Sequence, residues 1–120
     1  MIHAVKVHDF LNDKDKAPGK KVLVDKLWPR GVAKDDLAHD EWFKEVAPSS
    51  DLRSWFGHDP ERFQEFSRRY RSELDDCDSA ELEQLLTWAR NGALSLFYAA
   101  KDREINHAVV LKQWLEEAVS

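Results

Sequence analysis

The sequence predicts an α/β domain built on a small, mostly parallel sheet of three to four strands flanked by helices. Two short runs, Val22-Leu23-Val24 and Ala93-Leu94-Ser95-Leu96-Phe97-Tyr98-Ala99, are apolar on both faces. Continuous apolarity of that kind suits central parallel strands covered on both sides, whereas a half-exposed strand would alternate. Amphipathic stretches at helical spacing lie between the two runs, and another follows the second. Strands joined through helices are the way parallel neighbours are connected.

The 120 residues suit one domain, residues 1–120, with a single core. Apolar residues make up 42% of the chain and five are Trp, so there is enough side chain to bury. With a net charge of −5 and 34% charged residues, the balance is mildly acidic and argues against a dedicated DNA binder. No apolar run approaches the roughly 20 residues that span a membrane, and the first residues lack a signal-peptide core. The lone Cys77 allows no internal disulfide and has no basic neighbour to make it reactive. The cytoplasm is the expected compartment, with no membrane partner.

Taken in order, residues 2–8 place Val5 and Val7 on one side and Lys6 and His8 on the other, which predicts a first strand. Residues 12–20 are charged and contain Pro18-Gly19, an exposed loop. The strand at 22–24 is stopped by Pro29 and Gly31. Asp35 and Asp36 then suggest the first turn of a helix, with Ala38, Trp42 and Val46 as its stripe and Pro48 as its end. Ser49 or Ser50 can cap a short helix carrying Leu52, Trp55 and Phe56, closed by Gly57. Asp59-Pro60-Glu61 is a strong helix start, and Phe63, Phe66, Tyr70 and Leu74 form one inward stripe after it. Asp78 with Glu81 reads as a capping-box variant ahead of Leu82, Leu85, Leu86 and Ala89, and Gly92 ends that helix. The last helix carries His107, Val110, Leu111, Trp114 and Leu115 inward, with Asp102 or Asn106 as its cap.

Ligands of open α/β sheets sit beyond the carboxyl ends of the strands, and the polar residues of this chain collect there. His8 and Asp9 follow the first run, Asp25 to Arg30 the second. Tyr98, Lys101 and Asp102 follow the last, and Asn106 and His107 come where the final helix begins. A small anionic ligand, nucleotide-like or phosphorylated, is the partner this pattern suggests. Asp25 and His107 are then the candidate proton-transfer residues, and Trp28, Arg30, His58, Tyr98, Lys101 and Asn106 the candidate ligand contacts.

Several strings carry a family likeness: Val22-Leu23-Val24-Asp25-Lys26-Leu27-Trp28-Pro29-Arg30-Gly31, Asp40-Glu41-Trp42, Ala47-Pro48-Ser49, Trp55-Phe56-Gly57-His58-Asp59-Pro60, Tyr98-Ala99-Ala100-Lys101-Asp102 and Asn106-His107-Ala108-Val109-Val110-Leu111. Together they resemble the signature of the domain-of-unknown-function 488 family, in its YeaO-like branch. The resemblance spans nearly the whole chain. It implies little about activity, since the family is named for having no assigned function. Other branches carry cysteines near the end of the last strand and before the His that opens the final helix, where this chain has Tyr98 and Asn106. The resemblance therefore carries over His107 but no thiol or metal-thiolate role.

Each candidate has a structural counterpart. Asp25 is either an acid/base or ligand group, or a carboxylate that holds Arg30 or backbone N–H groups. Arg30 offers a planar fork for phosphate or carboxylate, or a structural pair with Asp25 or Asp35. Trp28 stacks on a ring or fills the core. His58 shuttles protons or ties a turn. His107 serves the site or sits satisfied in the core. Tyr98 orients a ligand or packs, and Lys101 does so or is solvated. Arg62, Arg68, Arg69 and Arg71 line one helix face, either a nucleic-acid- or protein-binding surface or a solvated face paired with Glu61, Glu65 and Glu73. No His-x-x-x-His or Cys/His pairing suggests a metal. The sequence leaves the cofactor, the existence of catalysis and the oligomeric state open.

Overall fold

The computed structural model describes residues 1–120. Its centre is a four-stranded sheet in the order β1-β4-β2-β3, parallel throughout. The strands are β1 (Ile2–Lys6), β2 (Lys20–Leu23), β3 (Glu41–Trp42) and β4 (Leu94–Tyr98). The helices are α1 (Val7–Leu11), α2 (Ser50–Phe56), α3 (Phe63–Asp75), α4 (Ala80–Asn91) and α5 (His107–Val119). No helix is long and apolar enough to cross a membrane.

β4 is the middle of the sheet and all five of its residues are buried, the burial expected of a strand covered on both faces. Its alternate residues feed two cores. Leu94, Leu96 and Tyr98 join Val22 and Val24 in a large cluster under α2–α5. Phe97 and Leu23 join Val5 and Val7 in a smaller cluster on the other side. Entry into β2 depends on Gly19. Its φ is +76°, and a Cβ there would lie 2.0 Å from the Ala93 carbonyl oxygen, so only glycine lets the two backbones approach. Lys20 N–H then donates to that same carbonyl at 3.1 Å and sets the β2–β4 register.

Three expectations needed correction. The first strand ends at Lys6, and Val7–Leu11 is a short helix. Val7 and Phe10 stand three residues apart and so share a face, with Phe10 packed 5.0 Å from the Phe97 ring.

The expected helix from Asp35 through Ala47 is absent; only Lys34–Asp36 makes a 3-10 turn, and Glu41–Trp42 is an edge strand. Backbone bonds from Asp40 N–H to Lys21 O (2.7 Å) and from Phe43 N–H to Leu23 O (2.9 Å) bind it to β2. Trp42 then packs on the small cluster and Phe43 in the large one. Adjacent residues facing opposite sides of a sheet is a period of two, and the helical spacing of Ala38, Trp42 and Val46 was coincidental.

The cap of α4 is Ser79, whose Oγ accepts from Leu82 N–H at 3.2 Å, and not Asp78. Glu81 instead receives Glu45 N–H at 2.7 Å. Elsewhere the caps follow the sequence: Ser49 opens α2, Asp59 the turn at Pro60, and Gly57 closes α2 at φ +54°. Between the two alternatives for α5 the cap is Asn106, and Asp102 instead receives the N–H groups of Glu104 and Ile105.

Candidate functional site

Beyond the carboxyl end of β2, a cavity of about 520 Å³ opens between the Asp25–Arg30 segment, α2 and the start of α5. Its apolar wall comes from Pro29, Pro48, Phe56 and Phe66, with Ala99 and Ala100 after β4. Its polar wall comes from Asp25, Lys26, Arg30, Ser50, Arg53, Ser54, His58, Asn106 and His107. The combination of an apolar lining with a few convergent polar groups is what small-ligand sites have in common.

Asp25 stands where the β2–β4 ladder would add its next rung. Val24 N–H donates to Phe97 O at 3.1 Å, and one residue later the Asp25 side chain takes over from the backbone. Its Oδ2 accepts from Ala99 N–H at 2.9 Å. Its Oδ1 lies 3.0 Å from His107 Nε2, which also lies 3.1 Å from Val24 O. Nε2 thus faces two acceptors and is the nitrogen assigned a proton. Shared in this way, the contact to Oδ1 lacks hydrogen-bond geometry, and that oxygen is buried without a donor. Asp25 and His107 are each mostly covered, their side chains 15% and 17% exposed, yet both reach the cavity wall.

The segment that carries Asp25 is braced by two indoles. Trp42 Nε1–H donates to Asp25 O at 2.8 Å, and Trp28 Nε1–H donates to Val32 O at 2.6 Å. The Trp28 ring also packs against His39 and Trp42 with centroids 5.2 and 5.3 Å away. Gly31 turns the chain at φ +79°. On the opposite wall, Tyr70 donates its hydroxyl to Val46 O just before Ala47 and Pro48. Burial raises the Tyr70 pKa well above its ordinary value, so it stays a neutral donor.

The cations of the cavity are free. The ion pairs of the molecule include none with Lys26, Arg30 or Arg53. Arg30 is exposed at the rim and bridges neither Asp25 nor Asp35. Arg53 touches only Ser50 Oγ, at 3.1 Å through Nη2, and its Nε is buried without a partner. His58 faces the same space from an unusual backbone position, φ +58°, directly after Gly57. A non-glycine residue there costs of order 1 kcal/mol, a strain held in place by the turn between α2 and Pro60.

Of the sequence candidates, the cavity brings together Asp25, Trp28, Arg30, His58, Asn106 and His107. Asn106 is 1% exposed and fully engaged: Oδ1 accepts from Val109 N–H at 3.0 Å, and Nδ2 donates to Asp102 O at 2.9 Å. Tyr98 and Lys101 lie outside the lining, a correction to the single-pocket expectation. Tyr98 is buried, and that burial raises its hydroxyl pKa. The polar groups after β1 and β4 form a tie of their own. Arg103 grips Asp9 with two bonds of 2.7 Å, and Lys6 Nζ donates to Lys101 O at 2.8 Å. The strand ends therefore serve two purposes: the end of β2, with Ala99 and Ala100 after β4, lines the cavity, while Asp9, Lys101 and Arg103 lie outside it.

Arg53 was not among the sequence candidates. It stands three residues before Phe56, at the edge of the inward stripe of α2, and a charge in that place was the available signal.

Comparison with known proteins agrees with the sequence motifs. Residues 1–120 match the family described as the inactive DUF488-N3 subclade. An uncharacterized protein of Mycobacterium tuberculosis H37Rv is 42% identical over 111 residues, covering 92% of each chain. The uncharacterized protein YeaO of Escherichia coli K12 is 42% identical over 101 residues, covering 84% of this chain and 87% of its own. No solved structure matches the chain. With a match along its full length and relatives at this identity, the chain belongs to the DUF488 family, in the branch that includes YeaO.

Proposed function

We propose that the protein is a binding domain for a small anionic metabolite, held in the cavity at the carboxyl end of β2. The observation that carries this reading is charge left uncompensated. Lys26, Arg30 and Arg53 face the cavity without an ion pair, in a chain whose net charge is −5. An acidic protein has carboxylates to spare for neutralising structural cations, as it does elsewhere on its surface. Three unpaired cations around one concave space favour a phosphate or carboxylate there. The volume, about 520 Å³, is in the range of metabolite-sized ligands.

Binding is favoured over catalysis by how Asp25 and His107 are held. Asp25 Oδ2 is engaged by Ala99 N–H and His107 Nε2 by Val24 O, so both act first as positioning residues. The description of the subclade as inactive accords with that reading. The arginine face of α3 offers no comparable case for nucleic acid, because its cations already have partners.

The test is thermal shift and calorimetry with a panel of nucleotides, sugar phosphates and small carboxylates. At least one is expected to stabilise the protein, with the shift reduced in Arg30→Ala and largely lost in Arg53→Ala. Stabilisation as large in both variants as in the parent would sink the assignment.

A further inference from the structure

Only two buried side-chain N or O atoms in the chain lack a hydrogen-bond partner, Asp25 Oδ1 and Arg53 Nε. Both belong to residues that line the cavity at the carboxyl end of β2. Buried polar groups without partners are uncommon, because each forfeits about 1–3 kcal/mol of solvation. Two of them in one cavity wall, of opposite character, are a pattern. One is an acceptor on a carboxylate, the other a donor on a guanidinium. Neither is satisfied by the other or by the nearby serines, since Ser50 Oγ already receives Arg53 Nη2.

From this we infer that the anion carries a hydroxyl group: a phosphorylated or carboxylated polyol whose anionic end meets Arg53 and whose hydroxyl donates to Asp25. The inference rests on the anion-binding reading and narrows its ligand class. A simple anion, or an anion with an alkyl chain, would complete Arg53 and leave Asp25 as it is. A hydroxylated one completes both. His107 is the device that keeps Asp25 ready. Its Nε2 bonds Val24 O at 3.1 Å and stands 3.0 Å from Asp25 Oδ1 without a hydrogen bond to it, so it lies against the carboxylate without saturating it. Both unpartnered atoms are closed to solvent, so a ligand reaches them as the Arg53 side chain or the Asp25–Arg30 segment shifts. Arg53 has no ion pair and only the bond to exposed Ser50 to give up.

The experiment compares probes of equal charge, of which glycerol 3-phosphate and propyl phosphate differ only in hydroxyls. Glycerol 3-phosphate and ribose 5-phosphate are measured against propyl phosphate by calorimetry, on the parent, Asp25→Asn and Arg53→Met. The two polyol phosphates are expected to bind the parent at least roughly tenfold more tightly than propyl phosphate, the size of one hydrogen bond to a charged group. Asp25→Asn should erase that ratio, and Arg53→Met should weaken all three. The probe comparison uses only the parent protein, so it stands even if a variant folds poorly. Equal affinity of the parent for the three phosphates, lost together in Arg53→Met, would overturn the hydroxyl inference and leave the anion site intact. Binding that is absent for every probe, or indifferent to Arg53, would overturn both.

Discussion

Two groups of cations on this molecule look alike in composition and differ in what surrounds them. On α3 and the turn before it, Arg62 pairs with Asp59 and lies over Trp55, Arg68 and Arg69 share Glu65, and Arg71 pairs with Glu117. Around the cavity, Lys26, Arg30 and Arg53 have no acidic partner, and the single carboxylate among them, Asp25, is turned to Ala99 N–H and His107. The denser cluster is the one already neutralised. The sparser one keeps its charge for something else. Counting arginines in a sequence ranks these two regions in the wrong order, because what matters is whether an acid lies within reach.

Four expected outcomes would break or sharpen this contrast. The largest concerns Asp25, whose carboxylate joins β2, β4 and the start of α5. Asp25→Ala leaves the Ala99 N–H without its acceptor, and equilibrium unfolding in urea should show a loss of about 2–4 kcal/mol. A loss below about 0.5 kcal/mol would mean the carboxylate is not a structural rung and is held for ligand alone. Next, Arg53→Met should weaken anion binding by at least roughly tenfold while changing stability by under about 1 kcal/mol, since it removes a buried Nε that has no partner. A stability loss of several kcal/mol there would place Arg53 with the paired arginines instead.

The third outcome tests the other cluster. Arg68→Ala with Arg69→Ala should leave anion affinity unchanged and the melting temperature within about 2 °C, as exposed pairs contribute little. Neither the parent nor this variant should bind duplex DNA at low salt. Salt-dependent binding that disappears with Arg68 and Arg69 would reverse the comparison.

The smallest effect is one of pH. Hydrogen bonds from Arg68 and then Arg69 bring the Glu65 pKa down to about 2 from an ordinary 4.5. A carboxyl lowered in the folded state contributes stability above its unfolded pKa, and the contribution is lost as pH falls from about 4.5 toward 2. The Arg68→Ala, Arg69→Ala variant should therefore show a shallower fall in melting temperature over that window. Because the group is exposed, the difference is small and should shrink further in salt. Identical acid profiles would show that these pairs do not hold Glu65 ionised in solution.

The strands β2 and β4 were legible from Val22-Leu23 and Leu94–Tyr98, because a run apolar on both faces has few other uses, although β2 begins earlier, at Lys20, and ends at Leu23. The stripes of α3, α4 and α5 were legible because Phe, Leu and Tyr recur at helical spacing. The edge strand at Glu41–Trp42 was not. Two residues are too few to show a period, and their strand character comes from lying in register with Val22 and Leu23, held by Asp40 N–H on Lys21 O and Phe43 N–H on Leu23 O. Asp25, Arg30, His58 and His107 were readable as a strand-end set, but Arg53 was not, since its place at the edge of the α2 stripe is a weak signal beside the many solvated helix arginines.

What the sequence determined by itself was composition along the chain: where apolar runs and caps fall, which residues bear charge, and the motifs shared with the family. What only the tertiary structure decided was pairing. Asp25 meets Ala99 across 74 positions and His107 meets Val24 across 83, and those contacts exist because β2, β4 and α5 end side by side. The same closure brings Asp9 to Arg103 across 94 positions and removes them from the site, while leaving Lys26, Arg30 and Arg53 unpaired. Charge is a property of a residue, but whether that charge is free depends on distances that only the folded chain sets.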